Sequence, residues 1–315
     1  MTRTVESFAE EVKSCIEAKL SERETEYTVS LHEKTKNNDI RLHGIAIRPE
    51  GLRAVPLIYL ENYFERYLDG MSADEIADRV IRLSERIIND SPEIKMPELD
   101  FESIRDRLRV KLVNSHTNAD SLSAMVYRDV GCGFALTPYI DLPESSGISG
   151  IIQITKELAR AGDYDERLLM DTALDNTAAM DAPYLKKITD MERATEGEDL
   201  LKTGGRCSSG VMVLGHESVE FGAVALFYPG MRQKISEIVG GDYYVLPSSV
   251  HELLILPDNG EYSSAELMEK VIDVNRNVLS PEERLADSVL LYRSDLALLT
   301  VAEELVKDNI RGLER

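Results

Sequence analysis

The sequence predicts an α+β protein with antiparallel or mixed sheets, built from about four β-hairpin-then-helix units arranged in two lobes. Three observations lead there. Pairs of short apolar runs flank tight polar or glycine-rich turns, the mark of hairpins and so of antiparallel pairing. Stretches with apolar residues three to four apart follow these pairs, as expected of helices that cover one sheet face. A polar stretch at 89–100, broken by Pro92 and Pro97, separates a first lobe at 1–90 from a second at 100–315, although one compact body is also compatible with this length.

The first lobe opens with a helix, because Phe8, Val12, Cys15, Ile16 and Leu20 recur on one helical face. Tyr27–His32 and Leu42–Arg48 read as strands around the turn Lys36-Asn37-Asn38-Asp39, whose side chains tolerate tight backbone geometry. After Pro56, LIYLENYFERYLDG has helical periodicity and stops at Gly70. Ser72 and Glu75 then sit three apart, a capping box that starts a helix over Ala73–Asn89.

In the second lobe, Met125–Asp129 and Phe134–Asp141 flank Gly131-Cys132-Gly133, and Ile151–Ala161 has helical spacing. A helical stretch at Glu166–Met191 leads to a Gly- and Ser-rich loop at Thr203–Gly210. Val211–Leu214 and Ala223–Tyr228 form a third predicted hairpin, followed by a helix at Met231–Val239 that Gly240 and Gly241 end. Tyr243–Leu246 and Glu252–Leu256 form a fourth, followed by a helix at Ala265–Val274. Ser280-Pro281-Glu282-Glu283 has the cap, proline and glutamate of a further helix start.

With 57 acidic against 36 basic residues the net charge is -21. Such a field repels phosphate backbones and anionic lipid over about 8 Å in cellular salt, so neither nucleic acid nor membrane is an expected partner. The start MTRTVESFAEEVK lacks the apolar run of a signal peptide, and Arg293, Asp295, Glu303 and Glu304 interrupt the most apolar later stretch. Cys15, Cys132 and Cys207 form no close pair, which fits a reducing cytoplasm and argues against a disulfide framework or zinc knuckle. No metal and no cofactor are expected.

Several constellations contain residue types that can carry chemistry. TGGRCSSG has the glycines of a phosphate cradle but lacks the Lys and Ser or Thr after the last glycine, so it reads as a connector, with Cys207 an unactivated thiol. His116, Asn118 and Asp120 alternate in NSHTNAD, yet a turn uses the same residues to bond its own backbone. Asp171 and Asp175 lie one helical turn apart and with Asp181 suit a hard cation, although such acids ordinarily face water. Tyr59, Tyr63 and Tyr67 make a row on one helix face, a core stripe before a stacking platform.

The densest polar cluster is PSSVHE, where Ser248, Ser249, His251 and Glu252 sit between two apolar strands. A serine near a histidine is the minimum of nucleophilic catalysis. Adjacent residues in a hairpin alternate faces, however, and Gly-x-Ser-x-Gly is absent, so a structural turn with His251 bonded to backbone or serine is the expected arrangement.

Taken together, YLENYFERYLDG, VNSHTNAD, ALDNT, MVLGHESVEFGA, YYVLPSSVHE and VIDVNRNVLSPEERLADSVLLY resemble the bacterial proteins grouped as domain of unknown function 5688. The resemblance runs over most of the chain, with PSSVHE and the DVN-to-LADSV stretch its most specific parts. It implies an independent bacterial cytoplasmic protein and transfers no catalytic role.

Two functions follow as expectations. The first is a non-catalytic binding or regulatory protein that holds a protein or small-molecule partner, with Asn114, Asn118 and Asn275 as candidate ligand-binding residues. The alternative is a hydrolase-type enzyme around the PSSVHE turn, with His251, Ser249 and Glu252 as candidate catalytic residues. Whether His251, Asn114, Asn118 and Asn275 share one concave pocket separates the two.

Overall fold

The computed structural model describes residues 3–23, 25–52, 55–90, 99–145, 148–188, 197–247 and 249–302. The chain divides into two compact units, Met1–Pro97 with Leu142–Gly150, and Glu98–Asp141 with Ile151–Arg315. Most of the stretch 89–100 expected to separate two lobes lies outside the described residues.

In the first unit, α1 (Val5–Leu20) begins at Thr4, whose hydroxyl accepts from the Ser7 amide. Its buried face carries Phe8, Val12 and Ile16 at the expected four-residue spacing. β1 (Tyr27–Thr35) and β2 (Arg41–Pro49) pair antiparallel from Tyr27 opposite Pro49 to Thr35 opposite Arg41. The turn between them puts Asn38 and Asp39 at φ 61° and 51°, which their short polar side chains tolerate. β3 (Leu57–Tyr59) adds a third strand beside β2, and α2 (Glu61–Leu68) and α3 (Ala73–Asp90) follow. The expected helix after Pro56 therefore starts four residues late, because Leu57, Ile58 and Tyr59 are spent on pairing with β2. Ile45, Ile47, Ile76 and Val80 join the α1 face in one buried cluster, each large apolar side chain contributing about 1.5–3 kcal/mol.

The second unit has α4 (Phe101–Ile104), β4 (Leu108–Asn114), α5 (Ala119–Ala124), β5 (Arg128–Gly131) and the parts outside Leu142–Gly150 of β6 (Phe134–Ser145) and β7 (Ile148–Gln153). In this sheet β6 pairs with β4, β5 and β7. Two helices, α6 (Lys156–Ala161) and α7 (Glu166–Met180), then lead to β8 (Pro183–Lys187), α8 (Leu200–Thr203) and β9 (Met212–His216). α9 (Met231–Val239), β10 (Tyr243–Leu246), β11 (Leu253–Pro257), α10 (Ser264–Asn277), β12 (Leu290–Arg293) and β13 (Leu298–Val301) complete it. The second sheet runs β13-β12-β10-β11-β9-β8, antiparallel throughout. One core joins both sheets and α7 through Leu112, Phe134, Ile140, Leu169, Ala173, Met212, Leu214, Tyr243 and Ile255.

The α+β class with antiparallel sheets holds, and four local expectations are corrected. The third hairpin does not form, because Gly222–Phe227 is a short 3-10 helix. Its apolar run is buried continuously, and such a run has no period by which to tell strand from helix. Ile151 and Ile152 belong to β7 rather than to a helix, which waits for the Thr155 side chain to cap α6. The helix after Asp165 ends at Met180, where the chain leaves to form β8. No helix follows Ser280, even though its hydroxyl meets the Glu283 carboxylate at 2.9 Å. There the Val250 amide takes the Glu283 carbonyl at 2.9 Å and Ser249 bridges to Arg284, so the backbone is drawn into a neighbouring segment. No helix among the described residues is long and apolar enough to cross a membrane.

Candidate functional site

The second unit contains a cavity of about 780 Å³ where three separate stretches meet. One wall is the β5–β6 turn. Gly131 pairs with Phe134, so Cys132 and Gly133 form a two-residue turn, and all three residues of Gly131-Cys132-Gly133 have positive φ. The Cys132 thiol donates to the Leu299 carbonyl at 3.4 Å, tying this turn to β13. Leu298, Thr300 and Val301 of β13 form the second wall, and Ala286-Asp287-Ser288 the third. Arg232, in the first turn of α9, brings a guanidinium to the same space and has no ion pair among the described residues. The Thr300 hydroxyl is buried without a hydrogen-bond partner among the described residues.

Of the four residues expected to share a pocket, Asn114 alone lines this one. Its Oδ1 accepts from the His116 and Thr117 amides at 2.9 and 3.0 Å, and its Nδ2 donates to the Leu285 carbonyl at 3.0 Å. Asn118 is buried and its Nδ2 donates to the Asn114 carbonyl at 2.9 Å. Asn275, 1% exposed, donates to the Ala286 carbonyl at 2.9 Å and to the Asp287 carboxylate at 2.7 Å. The three asparagines thus hold the loops that wall the cavity. Each donates its side-chain N–H to a backbone carbonyl, Asn275 also to the Asp287 carboxylate, which makes them positioning residues here. The arginine and the threonine carried no sequence signal, since neither belongs to a motif.

His251 lies elsewhere, against the loop after β9. Its Nδ1 accepts from the Phe221 amide at 3.3 Å, and the two rings stack with centroids 5.9 Å apart. An imidazole that accepts at Nδ1 carries its proton on Nε2, which lies 3.9 Å from the Glu283 carboxylate. Ser249 is buried, and its Oγ accepts from the His251 backbone amide at 3.0 Å, with no bond to the ring. Ser249 therefore does not make the hydroxyl-to-imidazole bond by which a base activates a serine nucleophile. Glu252 is exposed along its length, yet the protein packed around its carboxyl raises the pKa, with His251 opposing. Ser248 lies outside the described residues.

Close approach at this loop is extreme. A Cβ on Gly222 would come within 2.4 Å of the His251 carbonyl and 2.9 Å of the His216 amide, so only glycine fits. Val219 and Phe221 flank it with φ of 67° and 61°. His216, 2% exposed, meets the Ser218 hydroxyl through Nδ1 at 2.8 Å, and burial lowers its pKa while Asp181 pulls it upward. Burial also raises the Asp141 carboxyl against the opposing charge of Arg109.

The remaining candidates separate. Asp171 pairs with Arg128 at 2.6 Å, and Cys207 is buried with its thiol on the Ser209 carbonyl. Among the described residues no three His, Cys, Asp or Glu side chains are placed to hold a metal ion.

A family model described as "Family of unknown function (DUF5688)" matches residues 5–294, and the chain belongs to that family. Neither the curated proteins nor the solved structures contain a match to it.

Proposed function

We propose that this member of the DUF5688 family is a non-catalytic binding protein that holds a small molecule in the cavity between the Gly131–Gly133 turn and β13. The supporting observation is the cavity itself. Its volume of about 780 Å³ lies within the roughly 300–1,000 Å³ range of ligand sites. Apolar walls from β13 meet a few polar ends there, Arg232, Asp287, Ser288 and Thr300, which is the composition that orients a bound molecule. The hydrolase alternative draws no comparable support, because Ser249 Oγ and the His251 ring are not bonded to each other. The same reading sets the protein in a bacterial cytoplasm, where thiols such as those of Cys15 and Cys207 stay reduced.

A thermal-shift screen of metabolite classes on the full chain tests it. A ligand at 100 times its dissociation constant adds about 2.7 kcal/mol and so raises the midpoint visibly. Ser288→Trp places a bulky ring in the cavity and should abolish that shift while the variant remains folded. A panel without any hit, or a shift that survives Ser288→Trp, ends this reading.

A further inference from the structure

The first unit carries a cluster of cations that form no ion pair with the chain's own acids among the described residues. Arg66 of α2 and Arg79, Arg82 and Arg86 of α3 line one groove of about 380 Å³, together with Tyr63 and Leu83. Positions 79, 82 and 86 are spaced three and four apart, so they share one flank of α3. The acids of α3 are engaged elsewhere. Asp74 and Asp78 each meet Lys19 at 3.0 Å, and Glu85 pairs with Arg23. Glu75, one turn before Arg79, is held by Ser72 at the helix start. None of the four arginines has an ion pair among the described residues.

In a chain of net charge -21, these four arginines gather positive charge at one groove. Like charges at helical spacing repel, and an entering anion relieves that repulsion. Next to the groove lies a second recess of about 390 Å³, which shares Tyr63, Arg66 and Leu83 with it and adds Leu57, Tyr59 and Ile87. Lys36 sits over the Tyr59 ring at 4.6 Å, a further cation against a residue of the recess. A charged groove thus adjoins an aromatic and aliphatic one.

We propose that this double groove binds a nucleoside polyphosphate, its phosphates on the arginines and its base in the recess of Tyr59 and Tyr63. The guanidinium fork matches phosphate oxygens in pairs, and aromatic walls suit a flat base. The negative field of the whole chain favours such a compact ligand over a nucleic acid, whose many phosphates extend beyond the groove. This site is independent of the cavity in the second unit.

Isothermal titration of the full chain in physiological salt with ATP, GTP, inorganic tripolyphosphate and a short single-stranded oligonucleotide tests the proposal. One saturable site is expected, with a nucleotide at least about tenfold tighter than tripolyphosphate, because only the nucleotide fills the recess. Arg82→Ala combined with Arg86→Ala should weaken nucleotide binding at least about tenfold with an unchanged circular dichroism spectrum, since both residues are exposed. Arg167→Ala, the loss of one positive charge at a side chain 90% exposed in the second unit, should leave it unaltered. The proposal is overturned by no nucleotide binding, by equal affinity for tripolyphosphate, by binding indifferent to the arginine pair, or by tighter binding of the oligonucleotide.

Discussion

Asn114 and Asn275, from β4 and α10, donate to adjacent carbonyls, Leu285 at 3.0 Å and Ala286 at 2.9 Å. Two amides 161 positions apart in sequence therefore fix one short segment, and that segment continues into the cavity wall at Asp287 and Ser288. The Ala286 amide is held as well, by the Pro247 carbonyl at 2.9 Å. Bonds of this kind orient backbone that has no helix or strand of its own.

Asn275→Ala should destabilise the protein by about 1–3 kcal/mol, because it strips a buried donor from the Ala286 carbonyl and the Asp287 carboxylate. Asn275→Asp should cost at least as much, since a carboxylate would then face the Ala286 carbonyl and the Asp287 carboxylate. Urea unfolding of the two variants checks this, and wild-type midpoints in both would mean that the Ala286 bond does not hold the wall.

His251→Ala removes the acceptor of the Phe221 amide and the stacked ring. The ring is about one third exposed, so a loss near the lower end of the range, about 1 kcal/mol, is expected, with ligand affinity unchanged at the cavity, which His251 does not line. Melting temperature and binding measured side by side distinguish this from a catalytic histidine. Normal stability with lost function is the opposite outcome, and it would restore the enzyme reading.

His216 makes stability depend on pH with a definite sign. Its folded pKa lies below its ordinary value because the ring is buried, so in the window beneath about 6.5 the unfolded chain binds more protons. The contribution is complete above about pH 6.5 and is lost as acid carries the solution down toward the folded pKa. His216→Gln should therefore flatten the fall in unfolding free energy between about pH 7.5 and 5.5. Parallel slopes for wild type and variant would mean the imidazole is not held neutral.

Ser72 and Ser280 look alike in sequence and should behave differently. Ser72 Oγ accepts from the Glu75 amide at 3.2 Å at the start of α3, so Ser72→Ala should cost about 1 kcal/mol. At Ser280 no helix follows, and Ser280→Ala should stay within about 0.5 kcal/mol, as at ordinary surface positions. Chemical denaturation of the pair gives the comparison, and equal losses would contradict it.

Elements with local signals are legible in the linear chain. The α1 face from Phe8 to Ile16, the capping box of Ser72 and Glu75, the two-residue turn at Cys132-Gly133 and the left-handed stop at Gly240 each depend on residues within one or two turns of one another. Such signals survive without knowledge of the rest of the chain. The conformations of Ser280-Pro281-Glu282-Glu283 and Gly222–Phe227 are set by packing against distant segments. In both, local preference was overruled by bonds to distant backbone, Glu283 to Val250 and Ala223 to Val250. The candidate sites fall in the same class. Arg232 reaches the cavity because β12 and β13 close beside the β5–β6 turn, and the four arginines converge because α2 and α3 pack over the first sheet's core. Convergence of residues distant in sequence is a property of the packed chain, and a linear pattern contains no period that would reveal it.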